Sequence, residues 1–224
     1  MKDSCIVFDL DDTLYKEIDF LKSAYKEIAE NLKINSSVSY STQQIYTELL
    51  DAYYRKDNPF IYALNKYKTS LTKEDLLSIY RNHFPDITLK SDIKNTITYL
   101  KLRGNEIGII TDGRSITQRN KIKALGLVDI INNDDILISE ETGFSKPDER
   151  CYKYFMEKYP KSHNFIYIGD NPEKDFIAPN KLGWETVGIR DDGSNIHSQK
   201  ISDSINQPVL WIDSIPELLN YIDK

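Results

Sequence analysis

Four short segments carry side chains that could do chemistry together: Asp9-Leu10-Asp11-Asp12-Thr13-Leu14, Thr111-Asp112-Gly113, Ser145-Lys146-Pro147-Asp148 and Gly169-Asp170-Asn171-Pro172-Glu173-Lys174-Asp175. Converged, they would supply several carboxylates, a hydroxyl and a lysine. Crowded carboxylates repel, so a cation is needed to hold them ionised side by side. Oxygen ligands alone, with no Cys or His among them, suit a hard ion such as Mg2+. His83, His163 and His197 fall outside all four segments, which argues against zinc. One carboxylate could attack phosphorus. A second, two residues along, could pass a proton to the leaving oxygen. Thr111 and the backbone N–H groups that follow it could hold phosphate oxygens. Lys146 could neutralise charge on the nucleophile and the transferring group.

Such convergence requires elements that bring the segments to one edge. Ser4–Leu10 is short and apolar and reads as a buried strand. Further strands are predicted over Glu106–Thr111, Asp135–Ser139, Asn164–Gly169, Glu185–Ile189 and Val209–Ile212. Helices are predicted from Ser91 to Gly104, then over Ser115–Leu125, Pro147–Tyr159, Pro172–Leu182 and Ser214–Tyr221. This alternation implies an α/β fold, a doubly wound parallel sheet, with ligands bound at the carboxyl ends of the strands. Between Lys16 and Phe84 the pattern is helical throughout. Leu21, Tyr25, Ile28 and Leu32 recur at helical spacing, as do Ile45, Leu49, Ala52 and Tyr53. Asp57-Asn58-Pro59 and Thr72 before Glu74-Asp75 mark helix starts. The expected organisation is a core of residues 1–14 and 89–224, interrupted by an all-helical block, residues 15–88.

The four segments in this order resemble the motifs of the haloacid dehalogenase-like (HAD) superfamily. FDLDDTL matches the first motif, Thr111 after IGII the second, Lys146 the third and GDNPEKD the fourth. Each alone is also an ordinary turn or helix-start signal; the order, the spacing and the helical insertion carry the resemblance. It implies that Asp9 is a nucleophile forming an aspartyl-phosphate and Asp11 the general acid/base. It further implies a Mg2+ site made by Asp9, the Asp11 main chain, Asp170 and Asp175. Phosphate would be bound by Thr111, Asp112, Gly113 and Lys146. A helical cap after the first motif is the arrangement of the dehalogenase and phosphoglycolate-phosphatase branch. Dehalogenases of the superfamily need no metal and lack an acid at the Asp11 position, so the resemblance favours a Mg2+-dependent phosphatase. A phosphomutase of the β-phosphoglucomutase type shares the same core motifs, and a binding module that keeps the fold without turnover is a further alternative. Asp11 would have to hold a proton part of the time near neutral pH, which the neighbouring carboxylates would encourage. Two places depart from the common pattern: Asp112-Gly113-Arg114 after Thr111, and FIAPN after Asp175, where Pro179 is expected to kink a helix.

The length of 224 residues allows one domain with a sizeable insertion. A net charge of −6 disfavours a general nucleic-acid binder. No uncharged apolar run nears the ~18 residues of a membrane span. No signal peptide is read in the first residues, and two cysteines make no disulfide framework. The expected setting is therefore the cytoplasm, and the expected partner a small phosphorylated metabolite. Tyr53, Tyr54, Tyr62 and Tyr67, with Arg55, Lys56, Lys66 and Lys68, could line the substrate pocket; the plainer reading is core tyrosines and solvated lysines.

Overall fold

A computed structural model describes residues 4–36 and 39–222. Its centre is one six-stranded sheet in the order β3-β2-β1-β4-β5-β6, parallel throughout. The strands are β1 Ser4–Phe8, β2 Glu106–Thr111, β3 Ile136–Ile138, β4 Asn164–Gly169, β5 Glu185–Ile189 and β6 Leu210–Ile212. β1 is buried along its whole length, as a strand covered on both faces must be. Its alternate residues face different layers. Ile6 and Phe8 join one apolar cluster with Ile97, Leu100 and Ile122, while Cys5 and Val7 join another with Tyr152, Phe155 and Trp184. Helices α5 (Ser91–Leu102) and α6 (Ser115–Ala124) supply the first layer, and α8 (Glu149–Lys158) and α9 (Ile177–Lys181) the second. The short α7 (Ser139–Thr142) follows β3, and α10 (Leu218–Ile222) follows β6.

Between β1 and α5 stand four helices: α1 (Glu17–Ile34), α2 (Thr42–Tyr54), α3 (Pro59–Lys66) and α4 (Lys73–Asn82). They pack around an apolar cluster of their own that includes Ile28, Leu32, Ile45, Leu49 and Leu76. Their starts are those the sequence marks. Asn58 Oδ1 accepts from the N–H groups of Phe60 and Ile61. Thr72 and Asp75 form a reciprocal capping box.

Several boundaries differ from the sequence reading. α8 begins at Glu149, because Asp148 caps it by accepting from Arg150 N at 2.9 Å. α5 starts at Ser91 as expected but ends at Leu102, short of Gly104, and Lys90 stands at its cap position. The helix expected from Pro172 is mostly turns, and only Ile177–Lys181 is helical. The Asp175 carboxylate competes there, accepting from the backbone N–H groups of Asp170 and Asn171. Pro179 falls in the first turn of α9, where its missing N–H has no intrahelical acceptor to lose, so no kink arises.

Candidate active site

β1 and β4 are neighbours, and β2 flanks β1 on its other side, so the chain reverses direction of winding between them. Ligands bind at such a switch point. Asp9 follows β1, Asp112 follows β2 and Asp170 follows β4, so parallel pairing sets all three on one edge. Asp9 is anchored by its own N–H, which donates to Ile168 O at 2.8 Å. Lys146 reaches the same place from the loop before α8. Its Nζ donates to Asp9 Oδ1 at 2.6 Å, to Asp175 Oδ1 at 2.7 Å and to the Tyr167 hydroxyl at 3.1 Å. The Asp112 carboxylate receives the Lys146 backbone N–H at 3.1 Å, and Lys174 stands 3.7 Å away. Gly169 is needed because a Cβ there would sit 2.5 Å from Asp175 Oδ2.

These groups line a cavity of ≈ 480 Å³ that opens to solvent and includes Asp9, Asp11, Thr111, Asp112, Lys146, Asp170 and Asp175. Gly113 is not part of that lining; its N–H donates to Ser139 Oγ at 2.9 Å. Carboxylate oxygens of Asp9, Asp170 and Asp175 approach within 4.8 Å of one another. One ammonium, that of Lys146, stands against these three acids. Burial first, then Asp175 and Asp9, push the Asp170 carboxyl up to about 9. Burial, with Asp175 adding, pushes Asp9 up to about 7 although Lys146 opposes the shift. Burial alone would lower Lys146, but Asp175 and Asp9 hold it well above the ordinary lysine value. His197 also borders the cavity, although the sequence sets it apart from the four segments. The ligand atoms that approach one another belong to carboxylates alone, and buried acids short of positive charge fit a hard divalent cation.

Asp11 lies apart from this cluster. Its carboxylate accepts from Lys121 Nζ at 2.7 Å, from Gln118 Nε2 at 2.9 Å and from the Tyr15 hydroxyl. This corrects the expectation that neighbouring carboxylates raise it. Burial does push upward, but Lys121 and the two hydrogen bonds outweigh it and leave Asp11 below the usual carboxylate range. The same Gln118 donates to Thr111 Oγ1 at 2.6 Å. Glu17, at the start of α1, also lines the cavity, and burial and Asp11 push it up to about 8. The loop after β5 covers the acids from the other side. Asn195 Nδ2 donates to Asp170 Oδ2 at 2.9 Å, and Ile196 N donates to Asp12 Oδ2 at 3.0 Å.

Lys121, Gln118, Glu17 and Asn195 are absent from the sequence reading. For α6 a signal existed: Gln118, Lys121, Ile122 and Leu125 share one buried stripe, so two polar residues sit at core spacing. For Asn195 there was none, since nothing local ties it to an acid 25 positions away. The aromatic and basic residues proposed for the helical block do not line the acid cavity. Tyr67 is buried in that block's own core and bonds Glu48. Tyr62 packs beneath Arg55 and Lys66, and Tyr54 is exposed.

Fold and site together define a class: a doubly wound α/β protein whose acids and one lysine gather over the switch point beside an inserted helical block. The family profile described as haloacid dehalogenase-like hydrolase matches residues 6–189, and the chain belongs to that family. Its relatives include glyceraldehyde 3-phosphate phosphatases. That of Methanocaldococcus jannaschii is 28% identical over 193 residues, covering 82% of this chain and 83% of the relative. That of Methanopyrus kandleri is 25% identical and covers 97% and 96%. Among solved structures, the magnesium-bound HAD-hydrolase YfnB of Bacillus subtilis superposes with a TM-score of 0.69 over 100% of both chains at 21% identity, a likeness of fold. No helix among the described residues is long and apolar enough to cross a membrane.

Proposed function

We propose that this protein is a Mg2+-dependent phosphatase that hydrolyses a small phosphorylated metabolite through an aspartyl-phosphate on Asp9. One observation carries the reading: Asp9 and Lys146 meet at 2.6 Å in a cavity lined by further acids at the switch point of the sheet. The phosphatases among the relatives support it. In this reading residues 1–14 and 89–224 are the catalytic core and residues 15–88 a cap over it. Asp9, Asp170 and Asp175, with the Asp11 main chain, would hold the cation. Bound Mg2+ would supply charge that keeps these acids ionised together and draws electron density from phosphoryl oxygens.

The chain's own residues do the remaining work. Lys146 holds the transferring phosphoryl group against Asp9 and neutralises charge as it moves. The Thr111 hydroxyl and the Asp112 backbone N–H supply donors to the phosphate oxygens, while the Gly113 N–H, held by Ser139, holds the loop in place. Asp9 attacks phosphorus in line, and Asp11 gives a proton to the leaving alcohol. Asp11 then takes a proton from the water that releases phosphate and frees Asp9. For this Asp11 must leave its bonds to Lys121, Gln118 and Tyr15, or carry the proton while they loosen. Purified protein with Mg2+ should release phosphate from p-nitrophenyl phosphate and from members of a metabolite panel. Asp9→Asn should abolish that release; full activity in this variant would refute the mechanism.

A further inference from the structure

A second cleft of ≈ 700 Å³ adjoins the acid cavity and shares Asp11, Glu17 and Asp112 with it. From the core it is lined by Asp11 and Lys121, and from the helical block by Phe20, Leu77, Tyr80 and Arg81. Asp11 borders both spaces, so a leaving group that takes its proton from Asp11 has room to extend into this cleft.

The cations of this cleft are not equivalent. Lys121 is engaged by Asp11 at 2.7 Å, and Arg114 by Glu140 at 3.4 Å. Arg81 is half-buried, and among the described residues its guanidinium has no ion pair and no hydrogen bond. A guanidinium that borders a cleft without an internal partner keeps its planar set of donors open to an anionic ligand. Its backbone is also fixed. Thr117 Oγ1 donates to Arg81 O at 2.8 Å, and Asn120 Nδ2 donates to Asn82 O and His83 O, each at 3.1 Å. These bonds tie the end of α4 to α6, so Arg81 is presented to the cleft from an anchored base, which lowers the ordering cost of binding.

We propose that Arg81 selects substrates: phosphate esters whose leaving group carries a second oxyanion, a carboxylate or a phosphate, on a short spacer. The planar fork of Arg81 would take that oxyanion in a bidentate pair, while Phe20, Leu77 and Tyr80 pack along the spacer. The proposal rests on the phosphatase reading.

Two matched pairs test it. Phosphoglycolate and ethylene glycol monophosphate differ by a carboxylate in place of a hydroxymethyl group. The bisphosphate and monophosphate of 1,3-propanediol differ by the second phosphate. The native protein should favour the anionic member of at least one pair by about tenfold or more in kcat/KM, and the pair that responds names the oxyanion. Arg81→Gln should reduce that preference to about twofold or less, through KM, with hydrolysis of the neutral member unchanged. Arg81→Lys should keep part of the preference. Equal use of both members by the native protein, or a preference that survives Arg81→Gln, overturns the assignment. If p-nitrophenyl phosphate is not hydrolysed either, the phosphatase reading fails separately. Calorimetric affinities of the four compounds then decide the role of Arg81: an anionic preference lost in Arg81→Gln supports it, and equal affinities refute it.

Discussion

Asp9, Asp170 and Asp175 are buried acids sharing one buried ammonium, and the shortage of positive charge sets how the metal-free protein responds to pH. Each of Asp9 and Asp170 has an ordinary value of 3.8 and is pushed up to about 7 and about 9 respectively in the folded chain. Between the ordinary and raised values the folded state holds protons that the unfolded chain has lost. Raising the pH through that window therefore favours unfolding. Thermal midpoints of chelator-stripped protein should fall from about pH 5 to about pH 9, and Mg2+ should restore them most at the alkaline end. A stripped midpoint that climbs across this range would contradict the charge assignment. Gly169 bears on the same cluster. A methyl there meets Asp175 Oδ2, Cγ and Cβ at 2.5, 2.6 and 2.8 Å, and that side chain is wholly buried and cannot swing away. Gly169→Ala should cost about 1–3 kcal/mol in denaturant unfolding and should lose phosphatase activity; a variant as stable as the parent would show that Asp175 can yield.

At the scale of elements, the helical block stands on its own apolar cluster, so damage there should spare the acids. Leu49 is fully buried between helices of that block. Leu49→Ala should destabilise it by about 2–5 kcal/mol. Release of a small neutral phosphate ester should survive below the new midpoint, measured as initial rate against temperature. All six strands were legible in the sequence to within one or two residues, because buried parallel strands read as apolar runs between helical periods. The edges that moved were those where a side chain, not periodicity, decides: Asp148 capping α8, and Asp175 turning back on Asp170 and Asn171. Seven of the eight proposed site residues, Asp9, Asp11, Thr111, Asp112, Lys146, Asp170 and Asp175, line one cavity; their convergence was legible because they stand at strand ends or in the loops between strands and helices. The environment of Asp11 was not legible, because it depends on a buried lysine 110 residues away on α6.

Across the whole molecule, two apolar clusters hold the sheet and a third holds the inserted helices. Phe20 and Ala24 of α1 belong to one of the sheet clusters, and Tyr80 packs against both that cluster and the helical one. The three bonds from Thr117 and Asn120 to the end of α4 add a polar seam beside it. The placement of the aromatic residues has an optical consequence. Both tryptophans, Trp184 and Trp211, belong to the core; Trp184 packs on Tyr152 and Phe165, and Trp211 on Phe176. The helical block contains none and carries 9 of the 15 tyrosines. Indole emission therefore reports on the sheet alone, while tyrosine absorbance is weighted towards the inserted helices. The native chain thus holds two spectroscopically distinct reporters, one for each part, without any label being added.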